Sequence, residues 1–151
     1  MKPEREEVTA MSEQSLIDSA KAPIIAYNEK DWEAARSAMA GEYAYDEVGT
    51  QRKMLGADEV IAGWRGWAKA LPDSAAEFNN SLVSGNTVVL ELTWRGTHTG
   101  PLPTPGGTIG ATGKRIEIRA CQVTEIANGK AQATRHYFDM TTLLQQLLVA
   151  S

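Results

Sequence analysis

Arg135-His-Tyr-Phe-Asp-Met-Thr-Thr-Leu-Leu-Gln-Gln-Leu147 reads as a strand that ends in an ionisable cluster and turns straight into an apolar C-terminal helix. The pleat of a strand puts alternate side chains on opposite faces. His136 therefore shares a face with Thr134 and Phe138, while Arg135, Tyr137 and Asp139 point the other way. Asp139 has the place of a helix N-cap, where a carboxylate accepts the unpaired amides of the first turn. His136, whose imidazole can take a proton near neutral pH, and Asp139 therefore cannot both reach one pocket.

Outward from this stretch, Asn128-Gly129 predicts a two-residue hairpin, because both positions tolerate positive φ. It joins a strand over 114–127 to the strand over 130–138. Gly85-Asn86 likewise joins strands over 75–84 and 87–96. The segment from His98 to Thr112 is rich in Pro and Gly and is expected to be irregular. In the first half, Leu16, Ala20, Ile24 and Tyr27 recur at helical spacing, predicting a helix over 12–28 with Ser12 as cap and a kink at Pro23. Asp31 caps a short helix over 32–39. Residues 42–48 form a strand with Tyr43 and Tyr45 on one face. A helix over 57–71 buries Val60, Ile61, Trp64, Trp67 and Leu71. A final helix covers 141–149. Three helices and a strand, a β-meander and a closing helix make the chain α+β. The expected form is a strongly curved antiparallel sheet wrapped around the N-terminal helices, with a cone-shaped pocket.

The 151 residues fit one domain, with 1–11 as a flexible tail and 12–151 as the folded unit. A net charge of −4 offers no basic patch for nucleic acid. No apolar run approaches the roughly 20 residues of a membrane span, and the N-terminus lacks a signal-peptide core. The single Cys121 excludes an internal disulfide, and the cytoplasm is the expected location. The stretch Gly106–Lys114 resembles a phosphate loop. Thr108 stands where that loop needs its first Gly, however, and Arg115 replaces the Ser or Thr after Lys114. Two His and one Cys give no metal cluster by spacing.

Six segments carry a family resemblance: Ala26-Tyr-Asn-Glu-Lys-Asp-Trp32, Gly56, Leu71-Pro-Asp73, Gly96-Thr-His-Thr-Gly100, Ala111-Thr-Gly-Lys114, and Asp139 with Leu143-Leu-Gln-Gln-Leu147. In this order, over about residues 14–148, the chain resembles the SnoaL-like polyketide cyclases of the nuclear transport factor 2-like superfamily. The resemblance implies a cone-shaped α+β barrel whose pocket faces His136. In such cyclases an Asp three residues before a second Asp acts as acid and base on an enolate. Here the second Asp is Asp139 and His136 occupies the catalytic position. Related limonene-epoxide hydrolases add an Arg-x-Asp pair on the strand matching 87–96, which holds Glu91-Leu-Thr-Trp94 instead.

The resemblance thus implies catalytic roles for His136 and Tyr45, the latter as donor to a developing oxyanion. Gln122 stands in an otherwise mostly apolar row with Ile116, Ile118, Ala120, Thr124 and Ile126. It is expected to orient a substrate oxygen, the competing reading being an amide satisfied by neighbouring backbone. His98 at the pocket edge, Tyr43, Trp94 and Phe138 complete the expected binding set. Aromatic packing competes for Tyr43, and loop anchoring for His98. Trp64 and Trp67 are read as helix-to-sheet packing.

The expected function is a cofactor-free cyclase, isomerase or dehydratase acting on a small, apolar, oxygenated molecule such as a polyketide-like or terpenoid carbonyl compound. Its alternatives are water addition to an epoxide and a non-catalytic ligand-binding or protein-interaction domain. By family analogy, a homodimer forms through the outer sheet face of Glu91, Thr93, Arg95, Glu117 and Arg119.

Overall fold

The computed structural model describes residues 12–148. The tail expected over 1–11 lies outside them. Helix α1 (Glu13–Glu29) starts where the Ser12 side chain accepts the Ser15 amide, and it runs through the buried Pro23. It stops at Lys30, whose φ of 56° is left-handed. The last turn of α1 is tied to the start of strand β3 (Ala75–Ser84) and to the residue before it. The Asn28 amide exchanges two hydrogen bonds with the backbone of Ala76, of 3.0 and 2.8 Å, as a neighbouring strand would. The Tyr27 hydroxyl meets Ser74 Oγ at 2.7 Å.

Asp31 caps α2 (Trp32–Ser37) through the Ala34 amide. This helix is shorter than expected, because Met39 already pairs with Ala131 and opens strand β1 (Met39–Glu47). A 3-10 turn (Val48–Thr50) leads to β2 (Arg52–Leu55), a strand that its short mixed sequence does not announce. Helix α3 (Ala57–Ala70) buries Val60, Ile61 and Trp64. Strands β4 (Thr87–Thr97), β7 (Arg115–Ala127) and β8 (Lys130–Phe138) follow the expected meander. Asn128 and Gly129 take φ of 53° and 73° in the β7–β8 turn. Helix α4 (Met140–Leu148) closes the chain.

Two expectations are corrected. The Pro/Gly-rich segment is not wholly irregular: β5 (Leu102–Thr104) and β6 (Gly107–Ile109) pair as a hairpin of their own. The main sheet, ordered β2-β1-β8-β7-β4-β3, is mixed rather than antiparallel, because β1 lies parallel to β8. Hairpin signals report only on strands adjacent in sequence. The β1–β8 neighbourhood is set by tertiary packing.

Register shifts between Met39 and Ala44, Phe78 and Asn80, and Glu125 and Ile126 interrupt the ladders. Such irregularities bend strands and sharpen twist. The concave face carries Val88, Leu90 and Leu92 against α1 and α3. A second cluster at the other end packs Leu143 and Leu147 of α4 on Ile116 and Ile118. There β8 has already ended opposite Ala120, leaving Glu117 without a strand on that side. Gln146 replaces it, bonding the Glu117 N–H and C=O at 2.8 and 2.9 Å. Among the described residues no helix is long and apolar enough to cross a membrane.

Candidate active site

Between the concave sheet and helices α1, α3 and α4 lies a cavity with about 80 Å³ of room for the centres of water-sized molecules. Ile24, Trp64, Trp67, Leu71, Ile118 and Leu143 supply much of an apolar wall. Against this background the polar groups concentrate on one side.

Two ladder registers explain why. Glu47 of β1 is the Cα partner of His136 on β8, and His136 is the partner of Gln122 on β7. A row Glu47–His136–Gln122 therefore crosses three strands, and all three residues are buried. The next row inward is Tyr45–Thr134–Thr124 by the same pairings. Glu47, His136, Gln122 and Tyr45 line the cavity together with Trp94 and Phe138.

The hydrogen bonds around His136 fix its tautomer. Trp94 Nε1 lies 3.2 Å from His136 Nε2. An indole nitrogen only donates, so Nε2 is the acceptor and the neutral ring carries its proton on Nδ1. Nδ1 lies 2.6 Å from the Tyr45 hydroxyl and donates to it. Tyr45 thus accepts from the imidazole and keeps its own O–H proton to donate. Burial pushes the His136 pKa down to about 3, so the ring is neutral throughout the physiological range. As placed, neither ring nitrogen offers a free lone pair to the cavity. This revises the picture of His136 as a base that titrates near neutrality. Burial, then the charge of Glu47, raise the Tyr45 pKa well above the ordinary phenol value, which keeps its proton in place.

Glu47 is the residue that the sequence reading missed. It is 1 % exposed and, among the described residues, the one carboxylate in the cavity wall. Oε1 accepts from Thr50 Oγ1 at 2.5 Å and from Arg52 at 3.1 Å, and Oε2 accepts from Trp67 Nε1 at 3.0 Å. The available signal was strand parity, which gives Glu47 the same face as Tyr43 and Tyr45. Gln122 makes no side-chain hydrogen bond among the described residues, and it is 3 % exposed. A buried amide in contact with a cavity is free to bond what enters it.

Two expected site residues stand elsewhere. Tyr43 is buried behind the cavity wall, where its hydroxyl donates to Thr134 Oγ1 at 2.6 Å, and Thr134 meets Thr124 Oγ1 at 2.8 Å. It closes an internal hydroxyl chain and does not line the cavity. His98 does not line it either. Its Nδ1 accepts the Thr112 amide at 3.2 Å, its N–H donates to Lys114, and its C=O takes the Gly113 amide. It clamps the two ends of the β5–β6 excursion. Gly100 completes that corner, since a Cβ there would meet Lys69 O at 2.1 Å. Trp64 and Trp67, expected as packing alone, both pack and line the cavity. Asp139 caps α4, accepting the Thr141 amide at 3.0 Å and the Thr142 hydroxyl at 2.7 Å. Among the described residues no group of three or more His, Cys, Asp and Glu side chains gathers as a metal ion would need.

The family model for SnoaL-like polyketide cyclases matches residues 19–147. Among solved structures, TsrD from Streptomyces laurentii is similar over 93% of this chain and 100% of its own, with 23% identity and a TM-score of 0.77. IdmH from Streptomyces antibioticus, a proposed polyketide cyclase, is similar over 89% of this chain and 99% of its own, at 21% identity and a TM-score of 0.76. An epoxide hydrolase of M. tuberculosis, LEH-like, covers 89% of this chain and 90% of its own, at 19% identity and a TM-score of 0.69. At these identities the structures share the fold. Among curated proteins no sequence matches the chain.

Proposed function

The chain belongs to the SnoaL-like polyketide cyclase family, and from that premise we propose that it is a cofactor-free acid/base enzyme acting on a small, largely apolar carbonyl compound of polyketide-like or terpenoid type. The reaction begins with loss of a proton next to the carbonyl and continues by isomerisation, elimination or ring closure. One observation carries the reading. The Tyr45 hydroxyl accepts from His136 Nδ1 at 2.6 Å inside an apolar cavity, which leaves its own proton to meet a substrate oxygen.

A donor held in place before the reaction, in a site that excludes most water, stabilises a developing oxyanion far better than water does. Tyr45 is that donor, and Gln122, two strands away on the same wall, is the second. His136 is a positioning residue. Both its ring nitrogens are engaged by Tyr45 and Trp94, and its Nδ1–H stabilises negative charge as it spreads towards the phenol oxygen. The apolar wall selects the hydrocarbon part of the ligand. The absent Arg-x-Asp pair on β4 speaks against epoxide opening as the alternative.

The test is α-proton exchange followed by NMR in D2O, with a panel of cyclic ketones and 1,3-diketones whose binding is read by tryptophan fluorescence. The wild type should exchange at least one bound compound. Tyr45→Phe should slow that exchange by about 10²–10³-fold with little change in affinity. Binding without exchange for every compound would make the domain a ligand carrier instead.

A further inference from the structure

We propose that Glu47 is the catalytic base of this site, taking the α-proton of the carbonyl compound whose oxygen Tyr45 holds. The inference rests on the function proposed above and supplies the proton acceptor that His136, engaged at both nitrogens, does not provide.

The geometry points to Glu47 in three ways. First, among the described residues it is the one carboxylate in the cavity wall, and it is almost fully buried. A carboxylate is rarely placed there without a compensating partner or a chemical use. Arg52 compensates the charge from the rim, where its side chain is 47% exposed, while the Glu47 side chain is 2% exposed. Second, the acceptor capacity is not used up. A carboxylate offers about four lone-pair positions. Thr50 and Arg52 share Oε1, and Trp67 takes one position on Oε2, so Oε2 keeps a second. These three donors also fix the side-chain rotamer, as a base that must meet a C–H bond requires. Third, Tyr45 and Glu47 are two residues apart on one strand face, about 7 Å between Cα atoms. A carbonyl oxygen facing Tyr45 can then present its α-carbon to Glu47 across that spacing.

The step balances within the site. Glu47 Oε2 takes the α-hydrogen as a proton. The C–H electron pair becomes the C=C of an enolate, and the carbonyl π pair moves onto the oxygen bonded by Tyr45. The carboxylic acid then returns its proton to carbon, or exchanges it with solvent first.

The test uses the full chain and the ketone or 1,3-diketone of the panel that the wild type exchanges fastest. Glu47→Gln should slow α-proton exchange by at least about 100-fold while fluorescence-measured affinity changes by less than about threefold. Glu47→Asp keeps the charge but withdraws the oxygen by one methylene. It should retain part of the rate, about tenfold below wild type. Glu47→Gln exchanging at the wild-type rate, with Tyr45→Phe still slow, would overturn Glu47 as the base and leave the function standing. If Glu47→Gln does not fold, a folded Glu47→Asp at full rate overturns the assignment by itself. Exchange of no bound compound by the wild type would overturn the function and the base together.

Discussion

His136→Asn tests how deeply the site is desolvated. Burial holds the folded-state pKa at about 3, against 6.5 for an ordinary histidine. Between these values the unfolded chain binds a proton that the folded chain does not. Stability is therefore independent of this residue above pH 6.5, falls as pH drops through the window, and levels off only below about 3. The slope is about 1.4 kcal/mol per pH unit. From pH 7 to pH 4.5 the wild type should lose about 2.5 kcal/mol on account of His136 alone. Asparagine keeps a donor near the Nδ1 position but cannot be charged. Losing the Trp94 acceptor costs the variant about 1 kcal/mol at both pH values, so it cancels in the comparison. Urea unfolding by tryptophan fluorescence at the two pH values gives four free energies. The wild type should lose about 2.5 kcal/mol more than His136→Asn between them. Equal losses would mean that the imidazole accepts a proton in the folded state. The tautomer assignment, and with it the free Tyr45 proton, would then fail.

Two further substitutions separate structure from function. Thr134→Val strands the buried Tyr43 and Thr124 hydroxyls and should cost about 1–3 kcal/mol in urea unfolding. Ligand affinity should hold, because that hydroxyl chain lies behind the cavity. Asp139→Ala removes the α4 cap. It should lower Tm by a few degrees with exchange unchanged, and Asp139→Ser should restore most of the loss. Bonds from Thr142 and Thr141 hold the Asp139 carboxyl below its usual range, so this contribution is present at neutral pH and fades as acid protonates the carboxylate.

Part of the site's logic was legible locally. Strand parity grouped His136 with Thr134 and Phe138, the family resemblance made that face the cavity side together with Tyr45 and Gln122, and the Asp139 cap followed from its place before a helix. Parity could not tell Tyr43 from Tyr45, because depth along a strand depends on what closes the cavity from above. Nor could it tell that His98 is a clamp. Its place near the pocket-edge motif is compatible with both roles until the loop returns to Thr112 and Lys114. Glu47 was passed over as chemistry although strand parity gives it the face of Tyr43 and Tyr45. Its importance comes from Arg52, Trp67 and His136, which three different elements bring to it.

The chain by itself determined the element order apart from β2 and the β5–β6 hairpin, the Asn128-Gly129 turn, the caps at Ser12, Asp31 and Asp139, and which side chains share a strand face. All of these rest on interactions between residues close in sequence, where periodicity and turn chemistry act. Tertiary structure alone decided that β1 lies parallel to β8, and with it the row Glu47–His136–Gln122. Strand pairing across about ninety residues is selected by burial of whole faces, a sum over many contacts that no short segment encodes. The same burial strips water from His136, sets its tautomer through Trp94, and leaves Tyr45 with a proton to give.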